Sequence, residues 1–213
     1  VYRWVLIVLQ LIMAVELVFV IHEKQWVNAF LVMGIMAITL SPAAIGRRFK
    51  VDVPAEFQVL AVIFVFSALF LGEVQSYYLR IWWWDIALHT SSGLLTGLMG
   101  FLLVYVLNES DHVDIHMRTR FVARFAFLFA VAVGTIWEIF EFSMDMLAGT
   151  DMQKSMFSDP SGLTDTMWDM IVNAFGALVI SGLGWWYMHQ SEHSFIEAWI
   201  SKFIERNPRL FRR

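Results

Sequence analysis

Residues 127–149 read FLFAVAVGTIWEIFEFSMDMLAG. An apolar run leads into Gly134, and Glu138, Glu141 and Asp145 follow at i, i+3 and i+7. That spacing sets three carboxylates on one face of a helix. No Lys or Arg lies between Arg124 and Lys154, so the segment offers these acids no local partner. A charge inside lipid costs roughly 3 kcal/mol or more, so such residues turn to the interior of a bundle and mark a function.

The rest of the chain places this segment in a membrane. The 213 residues are 59% hydrophobic and 16% charged, with a mean hydropathy of +0.63. Soluble domains carry about 25% charged residues. The expected fold class is all-α: a polytopic bundle of six transmembrane helices near residues 4–21, 26–46, 56–74, 84–107, 120–149 and 165–189. The first segment carries Gln10 and Glu16 and lacks a small-residue cleavage site, so it reads as a span rather than a leader. An initiator Met, and residues before Val1, are expected to be missing.

The domain reading is 1–190 for the six-helix membrane domain, with its polar core over about 84–189, and 191–213 for a cytoplasmic tail. In that tail Phe195, Ile196, Trp199, Ile200, Phe203 and Ile204 form one stripe, opposite Glu197, Lys202, Glu205 and Arg206. This predicts an amphipathic helix on the inner leaflet with a basic end near anionic lipid; the alternative is docking to a protein partner. An even number of spans puts 12 basic residues on the side of the termini and three, Lys24, Arg80 and Lys154, on the other. Both termini are therefore expected in the cytoplasm, of a bacterial inner membrane. Expected partners are membrane lipids and no nucleic acid, with a protein partner through the C-terminal helix or the glycine-rich helix faces.

Three segments concentrate the polar residues. WWWDIALHTSSG, residues 82–93, sets Asp85 and His89 four apart, followed by Ser92, Gly93, Thr96, Gly97 and Gly100 on the same face. Small residues at that spacing let a neighbouring helix approach closely. GLTDTMWDMIVNAFGA, residues 162–177, steps Asp165, Asp169 and Asn173 by four, with Gly176 beyond. With the helix of Glu138 and Glu141, these stripes fall at matching depth in the outer half of the bilayer.

Plainer roles exist for several of them. Asp85 and Asp165 lie in first helical turns, where a carboxylate caps free N–H groups. Asp145 reaches the interface, Asn173 suits interhelical bonding, and a lone His89 suits a satisfied interior position. Glu138, Glu141 and Asp169 lie deeper, beside Trp137 and Trp168. Adjacent carboxylates either share protons or hold a cation. The metal reading takes His89, Glu138, Glu141, Asp169, Asp85 and Asp165 as ligands, with Glu138, Glu141 and Asp169 as catalytic residues. With no cysteine in the chain, oxygen and imidazole ligands favour Mg, Mn, Fe or Zn.

The order Asp85–His89–Gly93, then Glu138–Glu141 within WEIFEF, then Asp165–Asp169–Asn173–Gly176–Ala177 resembles the VanZ-like bacterial membrane proteins, and more closely the YjdF-like group. The resemblance covers about residues 82–185. VanZ-like proteins tend to carry Gln at the position of Glu141 and an Arg in the loop before the last span, where this chain has only Lys154. For VanZ itself the resemblance implies a link to glycopeptide resistance at the cell envelope. Three functional classes follow: a membrane enzyme acting on a lipid-linked or envelope substrate, a proton- or cation-binding protein, and an accessory subunit of a membrane complex.

Overall fold

The structure, a computed structural model, describes residues 2–49, 54–108, 117–189, 203 and 205–207. Its named elements are helices: α1 (Tyr2–His22), α2 (Trp26–Phe49), α3 (Ala55–Val65), which runs on into a π-helical stretch over Phe66–Val74, a short α4 (Tyr77–Arg80), α5 (Trp84–Asn108), α6 (Thr119–Ala148) and α7 (Leu163–His189). Among the described residues, five helical segments are long and apolar enough to cross a membrane: Tyr2–His22, Ala55–Val74, Trp84–Val104, Thr119–Ala148 and Leu163–Trp186. α2 adds a further apolar helical stretch over Trp26–Ser41. Of the expected tail helix over 191–213, all but Phe203 and residues 205–207 lies outside the described residues.

The described residues form two compact units, one built on the helices up to Trp84 and one beginning at Asp85. In the first, Met13, Val32, Ile35, Phe66 and Phe70 make the core. Gln10, a polar residue in an apolar helix, is accounted for here: its amide donates to the Thr39 hydroxyl at 2.8 Å and to the Met36 carbonyl at 3.2 Å. The buried Thr39 hydroxyl donates in turn to the Ile35 carbonyl, so α1 and α2 are tied by a satisfied polar pair. The turn between them is a Schellman closure. Lys24 adopts φ 59°, and the Gln25 N–H returns to the Val20 carbonyl at 2.8 Å.

The second unit holds α5, α6 and α7. The buried face of α6 steps through Val122, Ala126, Ala130, Gly134 and Glu138, and ends at Glu141. A small-residue stripe thus turns acidic on one and the same face. The first part lets helices close: an added Cβ on Gly100 would stand 2.8 Å from the Ala126 Cα. Between α5 and α7 the contact is reciprocal. A Cβ on Gly93 would strike the Asn173 carbonyl oxygen, and one on Gly176 the Thr90 carbonyl oxygen. Glycine at these two positions brings the α5 and α7 backbones together one helical turn from His89 and two from Asp169.

Candidate metal centre

His89 stands at the centre of the polar cluster. Its Nε2 lies 3.3 Å from Asp85 Oδ1 and 3.8 Å from Asp169 Oδ2, and its Nδ1 lies 3.6 Å from Glu138 Oε1. Asp85 comes from the preceding turn of α5, Glu138 from α6 and Asp169 from α7, so all three helices contribute. Among the described residues, His89 is the one basic side chain within ion-pair reach of these three acids.

Burial and bonding separate the members. Glu138 is 4% exposed and Asp169 1%. Oδ1 of Asp169 is buried without a hydrogen-bond partner, and both oxygens of Glu138 are buried short of hydrogen-bond geometry, the Thr166 hydroxyl being the neighbouring donor. Buried polar atoms are nearly always paired, and an unpaired charge is the costliest exception. Asn173, one turn further along α7, donates to the Ala130 carbonyl at 3.3 Å and leaves its own Oδ1 unpaired as well. The interior therefore presents unpaired acceptors.

The ligand atoms of Asp85, His89 and Asp169 all lie within 4.8 Å of one another. Around a cation with bonds of about 2.1 Å, neighbouring ligand atoms stand about 3.0–3.4 Å apart. The 3.3 Å separation already meets that spacing and the 3.8 Å one needs only a small closure. Glu138 lies on the opposite edge of the ring. There it is placed to accept the Nδ1–H and fix the tautomer that frees Nε2 for a cation.

The remaining expected site residues take other contacts. Glu141 is buried on the same face of α6, and its Oε1 accepts the Trp137 indole N–H at 2.9 Å. The i, i+4 spacing of Trp137 to Glu141 is the sequence signal for this bond. Asp165 accepts the Lys154 backbone N–H at 2.7 Å. Asp145 accepts the N–H groups of Met152 and Gln153, each at 2.8 Å, and the Thr150 hydroxyl. These two acids clasp the loop joining α6 to α7. Asp159, not singled out from the sequence, closes that loop onto α7: Oδ1 accepts the Ser161 N–H and hydroxyl, and Oδ2 accepts the Thr164 N–H and hydroxyl. Those bonds hold the Asp159 carboxyl well below the usual carboxylate range. The Gln153 amide adds a bond to the Thr166 hydroxyl at 2.6 Å.

Comparison with known proteins places these helices in a wider group. An uncharacterized protein of Thermotoga maritima is 24% identical over 147 residues, covering 66% of this chain and 68% of that protein. No solved structure matches the chain. The family described as "Predicted membrane protein (DUF2238)" matches residues 4–190, which take in every helix that builds the cluster, and the chain belongs to that family.

Proposed function

We propose that this multi-pass membrane protein holds a divalent cation between Asp85, His89 and Asp169, with Glu138 steadying the imidazole from its other edge. The observation that carries this reading is the set of buried, unpaired oxygens on Glu138 and Asp169 around a single imidazole. A cation on Nε2 balances the negative charge and gives those acceptors a partner. The oxygen and nitrogen ligand set admits Mg, Mn, Fe or Zn, and the imidazole favours the last three.

With protein ligands on part of its coordination sphere, the cation keeps positions for water or substrate. Glu141, its carboxylate held by Trp137, would be the residue to take a proton from a water acidified by such a cation. The proposed substrate class is a lipid-linked or cell-envelope compound, which a site inside membrane-crossing helices supports. The basic-residue distribution, twelve of fifteen on the side of the termini when α2 is counted as a span, supports a six-span arrangement with both termini in the cytoplasm of the bacterial inner membrane.

Elemental analysis of protein purified in detergent tests the reading. The expected result is one divalent cation per chain, lost in Asp169→Asn and in His89→Gln. If no stoichiometric metal is found and chelator leaves the melting temperature unchanged, the carboxylates share protons instead, and a proton-binding or accessory role replaces the metal centre.

A further inference from the structure

At the end of α6 opposite Glu138, a cleft of about 320 Å³ is lined by Arg120, Ala123 and Arg124 of α6 and by Trp185 of α7. Arg120 and Arg124 are one turn apart and share a face, an arrangement that is repulsive in itself. Both are exposed, and neither has an acidic partner among the described residues. The field around them makes matters worse. Arg118 precedes the helix without a capping side chain, the first turn of α6 holds no acid, and a helix start carries partial positive charge of its own. Natural helices put acids there, so this end of α6 is arranged for an anion that none of the described residues supplies.

The chemistry of that anion follows from position. Beyond Arg124 the helix is apolar as far as Trp137, so the two guanidiniums stand where a span leaves the hydrocarbon, at headgroup level. Trp185 supplies the amphipathic ring that favours this depth. Two guanidinium forks suit the paired oxygens of a phosphate better than a single carboxylate. We infer that this cleft binds a phosphate group, presented by an anionic phospholipid of the leaflet in which α6 begins. The site is independent of the proposed metal centre, being about 21 Å along α6 from Arg124 to Glu138.

The test uses the full chain in nanodiscs of phosphatidylcholine, with and without phosphatidylglycerol, reading lipid retention by native mass spectrometry and melting temperature. Wild type is expected to retain phosphatidylglycerol selectively and to melt higher in its presence. Arg120→Gln and Arg124→Gln each weaken retention about fivefold. Trp185→Ala, which keeps every charge, weakens it too. Arg80→Gln, elsewhere on the chain, leaves it unchanged. A separate arm adds inorganic phosphate to phosphatidylcholine discs at constant ionic strength; protection there equal to that of phosphatidylglycerol identifies soluble phosphate as the source of the same chemistry. If Arg80→Gln weakens retention as much as Arg124→Gln, or if Trp185→Ala has no effect, the attraction is diffuse surface charge and the cleft is not a site.

Discussion

Replacing Glu138 by Gln changes one oxygen to an amide nitrogen and removes one charge, at nearly constant shape. The metal account predicts opposite signs for this variant with and without the cation. In the metal account, Glu138 faces Nδ1 of His89 at 3.6 Å and closes to a hydrogen bond when Nε2 takes a cation. Losing such a partner lowers metal affinity 10–100-fold, about 1.4–2.8 kcal/mol. At a free metal concentration near 1,000 times the wild-type Kd, binding stabilises the wild type by about 4.1 kcal/mol, so the variant keeps roughly 1.3–2.7 kcal/mol of that gain. For a chain of this size the difference amounts to roughly 3–11 °C in melting temperature. In chelator the order reverses. There the wild type carries a buried carboxylate with the Thr166 hydroxyl as its nearest donor and neither oxygen in hydrogen-bond geometry, and removing that charge relieves up to about 3 kcal/mol. Glu138→Gln is therefore expected to melt at or above wild type in chelator and below it in saturating Mn or Zn. The assay is thermal unfolding in detergent, run in both conditions on both proteins. Equal destabilisation of the variant in both conditions would refute the reasoning, because it would make Glu138 a packing residue indifferent to metal.

Three further outcomes are expected. Gly93→Ala and Gly176→Ala each drive a methyl into a backbone carbonyl across the α5–α7 contact; each should cost about 1–3 kcal/mol in thermal unfolding and weaken metal retention, and unchanged stability would deny the close approach. Asp159 has a depressed folded-state pKa, so its contribution to the loop is present above the ordinary Asp value of about 3.9 and fades as pH falls through the lower folded value. Measured against the intrinsic exchange rate at each pH, amide protection over residues 150–164 should thus drop only in acid for wild type, and already at neutral pH for Asp159→Ala; equal protection in both proteins at neutral pH would mean the carboxylate does not hold the loop. A reporter fused after Arg213 should behave as cytoplasmic, and a periplasmic result would show an odd number of spans.

The long helices were legible because a membrane imposes length and polarity on every residue it covers. The expected 120–149 and the observed Thr119–Ala148 differ by one residue at each end. Gly149, at φ 64°, explains the stop: its N–H bonds the Asp145 carbonyl as a left-handed cap. The π-helical stretch after Val65 was not legible. Its register change, seen where the Gln75 N–H reaches the Phe70 carbonyl at 3.0 Å, depends on packing of Phe66 and Phe70 that no local pattern encodes. Nor was the path of the loop between α6 and α7. Phe157 and Ser158 both take positive φ, at 48° and 67°, in a tight turn closed between Met156 and Asp159. Neither residue type announces that conformation, so the donors the loop brings back to Asp145 and Asp165 could not be foreseen.

That returning loop divides what looked in the sequence like one acidic cluster. Asp145, Asp159 and Asp165 each accept at least one backbone N–H, and each lies at or beyond a helix end where such donors exist. Glu138 and Asp169 sit further inside their helices, where every backbone N–H is already committed to the helix itself. Depth alone therefore decides which acids can be satisfied by main chain. The inner ones must be satisfied by a side chain or by something bound, and the side chain within ion-pair reach is a single imidazole shared with Asp85. One imidazole has two nitrogens for three carboxylates. The shortfall in donors is thus built into the helix register, and it falls on the residues whose oxygens are found unpaired. The cation proposed on Nε2 would remove it in one step, because it would serve Asp85 and Asp169 together and leave Nδ1–H for Glu138.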